Sequence, residues 1–93
     1  MTMRPDVISA EEWGILRQSL GLSLLQTEIL KRIFRGRSYQ EIAREMAIRP
    51  RMVRSQMAGL YRAFGVSNRV QLVLHVLMTL REYWEEKGEY HFR

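Results

Sequence analysis

One short signal recurs along this chain and narrows its fold more than any other. A serine is followed three residues later by Glu or Gln, just ahead of an apolar run, at Ser9/Glu12, Ser23/Gln26 and Ser38/Glu41. In such a pair the hydroxyl accepts from a free N–H in the first helical turn, and the longer side chain reaches back to the serine N–H. Each pair therefore predicts a helix start. Ile8 and Trp13 flank the first at the two positions of a hydrophobic staple. Helix 1 is expected from about Ala10 to Ser19, ending near Gly21. Helix 2 should follow Ser23 and stop at Gly36, with Leu25, Ile29, Leu30, Ile33 and Phe34 on one broad face. Helix 3 is short, with Ile42, Ala43 and Met46 inward.

The fourth start is different. Arg49 occupies the cap position, and Pro50 follows at the first helical position, where a missing N–H costs nothing. This helix is expected to run to Phe64 and end at Gly65. Ser67 is expected to cap helix 5, from about Asn68 to Lys87, with the tail EYHFR frayed beyond it. No long apolar–polar alternation and no Asn-Gly or Asp-Gly turn points to strands. The expectation is an all-α fold: a compact helical bundle of about five helices containing a helix-turn-helix, with residues 1–93 as a single domain.

Composition supports a folded chain and narrows its chemistry. Hydrophobic residues make up 46%, enough for a core. The absence of Cys excludes disulfides, thiolate metal sites and cysteine nucleophiles. MTMRPD leads into no apolar stretch, and LVLHVLM falls far short of the roughly 20 residues of a membrane span. No membrane association is expected, and the location expected is cytoplasmic. His75 sits in an apolar run and His91 in the tail, so they do not form a zinc set. Glu11/Glu12 and Glu85/Glu86 are sequence neighbours on helices and diverge. With no nucleophile–base pair and no phosphate-binding glycine loop, neither catalytic residues, metal ligands nor cofactors are expected, and the chain does not read as an enzyme.

Charge is more informative. Ten basic residues lie between Lys31 and Arg69 against only Glu41 and Glu45, a surplus of +8 in a chain whose net charge is +5. The remainder is therefore acidic by three charges. A basic middle between acidic flanks is the electrostatic footprint of a polyanion-binding face. At about 100° per residue, Val53, Met57, Leu60 and Phe64 share one face of helix 4. Arg51, Ser55, Ala58 and Arg62 share the opposite one, with Arg54 on one shoulder and Met52 and Gly59 on the other. Long cations interspersed with small residues suit a major groove, because the backbone can approach closely while guanidinium groups reach guanine edges or phosphates.

These residues, in this order, resemble the LuxR/GerE-type helix-turn-helix domain shared by NarL- and FixJ-like regulators. Leu22, Ser23, Gln26, Glu28, Ile29 and Leu30 match its first block. Gly36, Ser38, Glu41, Ile42 and Ala43 match the second, Ile48, Val53 and Arg54 the third, and Phe64, Gly65, Val66 and Arg69 the fourth. The resemblance covers residues 22–76 without a gap. It implies that helix 4 is the recognition helix, with Arg54, Ser55 and Ala58 at the base-contacting positions, to which the outward stripe adds Arg51. It implies phosphate contacts near Gln40, Met52 and Arg49, with Arg37, Arg62 and Arg69 as further basic holders of the backbone. Arg49 stands where the family has a cap Ser, Met52 where it has Thr, Gln56 where it has His, and Tyr39 where it has Asn. Helix 1, residues 1–21 with its lead-in, has no counterpart in the minimal domain. No sensing domain precedes the motif, so the chain resembles the stand-alone type.

Helix 5, residues 68–87, is too apolar for a helix with one buried stripe. Val70, Val73, Leu74, Leu77 and Leu80 make one face, and Leu72, Val76 and Tyr83 extend it sideways. A homodimer is expected, with Leu72, His75, Val76, Thr79 and Tyr83 against a two-fold mate. The competing expectation is that helix 1 folds back over helix 5. Met46, Met57 and Met78 are expected as core filler.

The function expected is a sequence-specific regulator of transcription that binds double-stranded DNA, with RNA polymerase a further partner. The alternative is a helix-turn-helix protein-interaction module that binds RNA polymerase, a sigma factor or another regulator. A sigma-factor fragment, a third possibility, fits less well with the AFGVSNR exit from helix 4.

Overall fold

The computed structural model describes residues 6–88. They form five helices: α1 (Ala10–Leu20), α2 (Leu24–Phe34), α3 (Tyr39–Met46), α4 (Pro50–Phe64) and α5 (Arg69–Glu86), with no strand among the described residues. The fold is all-α, as the punctuation requires. The tail at 89–93, expected to fray and including His91, lies outside the described residues, as do residues 1–5.

All three serine boxes close. Ser9 Oγ accepts the Glu12 N–H at 3.1 Å while Glu12 Oε1 accepts the Ser9 N–H at 2.9 Å. Ser23 and Gln26 exchange the same bonds at 3.0 Å each, and Ser38 and Glu41 at 3.1 and 2.8 Å. At α5 the cap is Asn68 rather than Ser67. Asn68 Oδ1 accepts the Gln71 N–H at 2.9 Å, and Gln71 Oε1 in turn accepts the Ser67 N–H at 2.7 Å. The start signal thus reappears one residue later than expected, with Asn and Gln in place of Ser and Glu.

A single core joins the helices. It takes Trp13 and Leu16 from α1, Ile29, Leu30 and Ile33 from α2, Ile42 and Ala43 from α3, Val53, Met57 and Leu60 from α4, and Leu72, Val76 and Leu80 from α5. Ile8 and Trp13, the staple pair, are both buried in it. Trp13 also meets Phe34 edge-on at 5.3 Å. Thr27, the buried polar residue, donates its hydroxyl proton to the Ser23 carbonyl at 2.8 Å. A buried hydroxyl needs such a partner.

Helix α5 corrects the sequence reading. Leu72 and Val76, expected at a dimer contact, are wholly buried in the chain's own core. The apolar residues that face solvent are Val70 (67% exposed), Leu74 (55%) and Met78 (50%), so Met78 is not core filler. His75, Thr79 and Tyr83 are half-buried and engaged within the chain. His75 stacks on Phe64 at 4.7 Å, Thr79 donates to the His75 carbonyl, and Tyr83 lies between Trp84 and the Lys87 ammonium. The register was ambiguous because a helix apolar on most sides offers no single stripe to select. The competing expectation describes part of the arrangement: α1 packs on α5. Trp84 Nε1 donates to Glu12 Oε2 at 3.0 Å, so one carboxylate both completes the α1 capping box and holds the far end of α5.

The turn between α3 and α4 fixes the helix-turn-helix. Ala47 closes α3 in the left-handed conformation, φ 56°. The chain then reverses, with the Ile48 N–H on the Ala43 carbonyl at 2.9 Å. Cβ crowding makes this conformation costly for alanine by roughly 1 kcal/mol, whereas glycine adopts it freely. Replacing Ala47→Gly is expected to raise unfolding stability by up to about 1 kcal/mol, read as a higher urea midpoint at unchanged slope. A lower midpoint would show that this turn is not strained.

Candidate nucleic-acid interface

With Val53, Met57 and Leu60 in the core, the opposite side of α4 faces outward. Arg51, Arg54, Ser55 and Arg62 are exposed there, and Ala58 is half-buried. The helix thus presents long cations around short side chains. Gln40 on α3 and Arg49 at the α4 cap are also exposed, and Met52 is 44% exposed.

The cations divide into two sets. On α2 and the loop after it they are paired with carboxylates. Arg32 bonds Glu28 and Glu45, both at 3.1 Å, Lys31 bonds Glu28 at 3.0 Å, Arg35 bonds Asp6 at 3.2 Å, and Arg37 bonds Glu45 at 2.9 Å. These bonds hold the Glu28 carboxyl below its ordinary range, through Lys31 first and then Arg32. By contrast, Arg44, Arg49, Arg51, Arg54 and Arg62 have no ion-pair partner among the described residues. Arg44 on α3 was not singled out in the sequence. Its signal is that it lies one residue before the carboxylate, Glu45, that α2 and the loop consume.

Two expected phosphate holders are already engaged. The Arg37 guanidinium is on Glu45, and its carbonyl accepts from Arg69 Nη1 at 3.0 Å. Arg69 also lies over the Tyr39 ring at 5.4 Å. The Tyr39 and Tyr61 hydroxyls meet at 3.3 Å. Burial, and then the bond to Tyr39, push the Tyr61 phenol up to about 12, so it stays protonated at any working pH. Tyr39, Tyr61, Arg69 and the Arg37 carbonyl tie the start of α3 to the end of α4 and the start of α5. Tyr39, which departs from the resembled pattern, joins this clamp through its ring and hydroxyl, and an Asn has neither.

The start of α4 is open. Its cap residue, Arg49, has the extended backbone of a cap (φ −81°, ψ 145°) but its side chain satisfies no N–H. The other four helices are closed by side chains. Beside this start is a concavity of about 440 Å³ lined by Ile48, Arg49, Arg51, Met52 and Ser55. An uncapped helix start beside guanidinium groups attracts anions, since its N–H groups carry partial positive charge.

Comparison with family models places this geometry in a known group. The model described as bacterial regulatory proteins, luxR family, matches residues 20–76. That span runs from the last residue of α1 into α5 and includes the whole helix-turn-helix, so the chain belongs to the luxR family, whose domain is a DNA-binding helix-turn-helix of transcription regulators. Comparisons with curated proteins and with solved structures gave no match. No single described helix is long and apolar enough to cross a membrane.

The open start has a measurable consequence for stability. Arg49→Ser introduces a hydroxyl acceptor at a residue with cap geometry and removes a cation from the positive end of the helix. It is expected to stabilise the fold by about 1 kcal/mol, seen as a raised thermal midpoint. An unchanged or lower midpoint would mean that the free N–H groups are already satisfied.

Proposed function

We propose that the chain is a sequence-specific regulator of transcription that lays α4 in the major groove of double-stranded DNA. The observation that carries this reading is the row of guanidinium groups on the outward side of α4. They have no carboxylate partners among the described residues, although the same chain pairs those on α2. Arg54, Ser55 and Ala58 face base edges, with Arg51 beside them. Arg49, Arg62, Arg44 and Gln40 hold phosphates on either side, and Arg69 sits behind them as fixed positive charge, while Arg37 is held on Glu45. Ser55 and Ala58 are short, which lets the helix backbone come close enough for Arg54 to reach a guanine in bidentate fashion. A regulator of this kind works in the cytoplasm, where bacterial DNA lies.

Arg54→Ala is expected to weaken binding to the preferred site by about 1–3 kcal/mol and to relax preference at one base pair. Contact with roughly six phosphates gives a slope of about −5 for log affinity against log salt. These are measured by fluorescence anisotropy on duplexes obtained by in vitro selection. Unchanged affinity would remove Arg54 from the mechanism, and a flat salt response would remove DNA.

The same reading includes a homodimer, but through a different face from the one first expected. Val70, Leu74 and Met78 recur at four-residue spacing along the solvent side of α5. Self-association of this stripe would give a two-fold pair of α4 helices for two half-sites. Leu74→Glu is expected to turn a dimeric solution mass into a monomeric one while leaving the fold intact, as measured by sedimentation equilibrium. A wild-type chain that is monomeric at high micromolar concentration would exclude this contact. RNA polymerase is then a partner reached from the DNA. A chain that captured a sigma factor or polymerase yet shifted no duplex at low salt would instead be the interaction module considered above.

A further inference from the structure

Met52 has no role in any of this as a phosphate contact. Its thioether sulfur donates no hydrogen bond and accepts only weakly, so it cannot replace the threonine hydroxyl found at that position in the resembled pattern. Yet Met52 is the large apolar residue of α4 that faces solvent, 44% exposed, next to the wholly buried Val53. Its sulfur receives only a long contact from Gln56 Nε2, at 3.9 Å. A single exposed methionine needs no explanation by itself. Its surroundings are what distinguish it. It forms the apolar part of the 440 Å³ concavity with Ile48, and Arg49, Arg51 and Ser55 complete the lining. Apolar and cationic side chains thus line one concavity at the end of the helix that enters the groove.

Resting on the DNA reading above, we infer that Met52 is a specificity-determining residue that contacts the 5-methyl group of a thymine. The major groove offers one apolar group on its base edges, and it is that methyl. The two arginines of the lining favour a polyanion, because Arg49 and Arg51 have no carboxylate partner among the described residues and can take the flanking phosphates. The long, unbranched methionine side chain reaches beyond a threonine, and its polarisable end packs on a methyl or on a ring edge. The substitution therefore exchanges a contact that positions the helix for one that reads a base. The lost phosphate contact is compensated by the neighbouring guanidinium groups.

The test uses the full chain and its selected duplex. Each thymine in the site is replaced, one at a time, by deoxyuridine, which removes only the methyl group. Binding is measured for the wild type and for Met52→Ala. The result expected is one thymine whose replacement weakens the wild type roughly fourfold, the equivalent of exposing one methyl group. In Met52→Ala that penalty should vanish, with the salt slope unchanged because no phosphate contact is lost. Met52 lies outside the core, so the variant is expected to melt with the wild type. If no deoxyuridine affects the wild type, or the same one affects Met52→Ala equally, Met52 does not read a methyl. A shallower salt slope in the variant would mean that a phosphate contact had been lost with Met52, and would return that residue to the phosphate set. Selection that enriches no duplex overturns the DNA reading beneath the inference, and this is seen before any uridine is placed.

Discussion

The structure depends on how α4 is seated. Val53, Met57 and Leu60 are buried together, and a helix is rigid in rotation once three successive turns are fixed. Turning α4 by a third of a revolution in one sense would drive Arg54 or Arg51 into the core, where an unpaired guanidinium is very costly, and in the other sense it would lift Val53, Met57 and Leu60 out of it. The hydrophobic effect therefore sets the direction of every charged group on the other side. Among the described residues, no ion pair holds the outward row in place. It is exposed because its neighbours are buried.

The chain's carboxylates sharpen that division. Glu28 and Glu45 sit where they pair with Lys31, Arg32 and Arg37, and Asp6 takes Arg35. Each of these pairs is at least partly solvated and adds little to stability. Their effect is on the field of the molecule. Three carboxylates offset most of the four positive charges on the α2 side and none of those on α4, so the strongest positive potential falls on one face. The phenol pair of Tyr39 and Tyr61, with Arg69 across it, then keeps the two helices of the motif from shifting against each other.

Much of this was legible in the sequence because the relevant interactions are local. The three serine boxes, the proline at the start of α4 and the glycine at its end each act within four residues. The amphipathic period of α4 is clean, so the spacing of its residues alone separates its inward side from its outward one. What was not legible came from contacts distant in sequence. The register of α5 is chosen by α1 and α4 together, and its own residues are apolar on too many sides to show it. The Glu12–Trp84 bond joins positions 72 residues apart, and nothing near either residue announces it. The strained Ala47 was missed because glycine or asparagine is the usual sign of a left-handed residue. The outward direction of the charged stripe follows from local spacing along α4 alone. The pairing that removes Arg37 and Arg69 from the site depends on tertiary neighbours.

That long-range bond has a bearing on how the chain acquires its shape. The helices of the recognition motif are joined by short turns and pack on neighbours in sequence, which favours rapid assembly. The clasp between Glu12 and Trp84 joins the first helix to the last across 72 residues, so a large loop must close to form it. Its carboxylate is also half of a helix cap, which links the winding of the first helix to the docking of the last. The order this implies is a motif that condenses early and an outer ring that locks over it afterwards. The indole of Trp84, at the lock itself, would report that final step by its fluorescence.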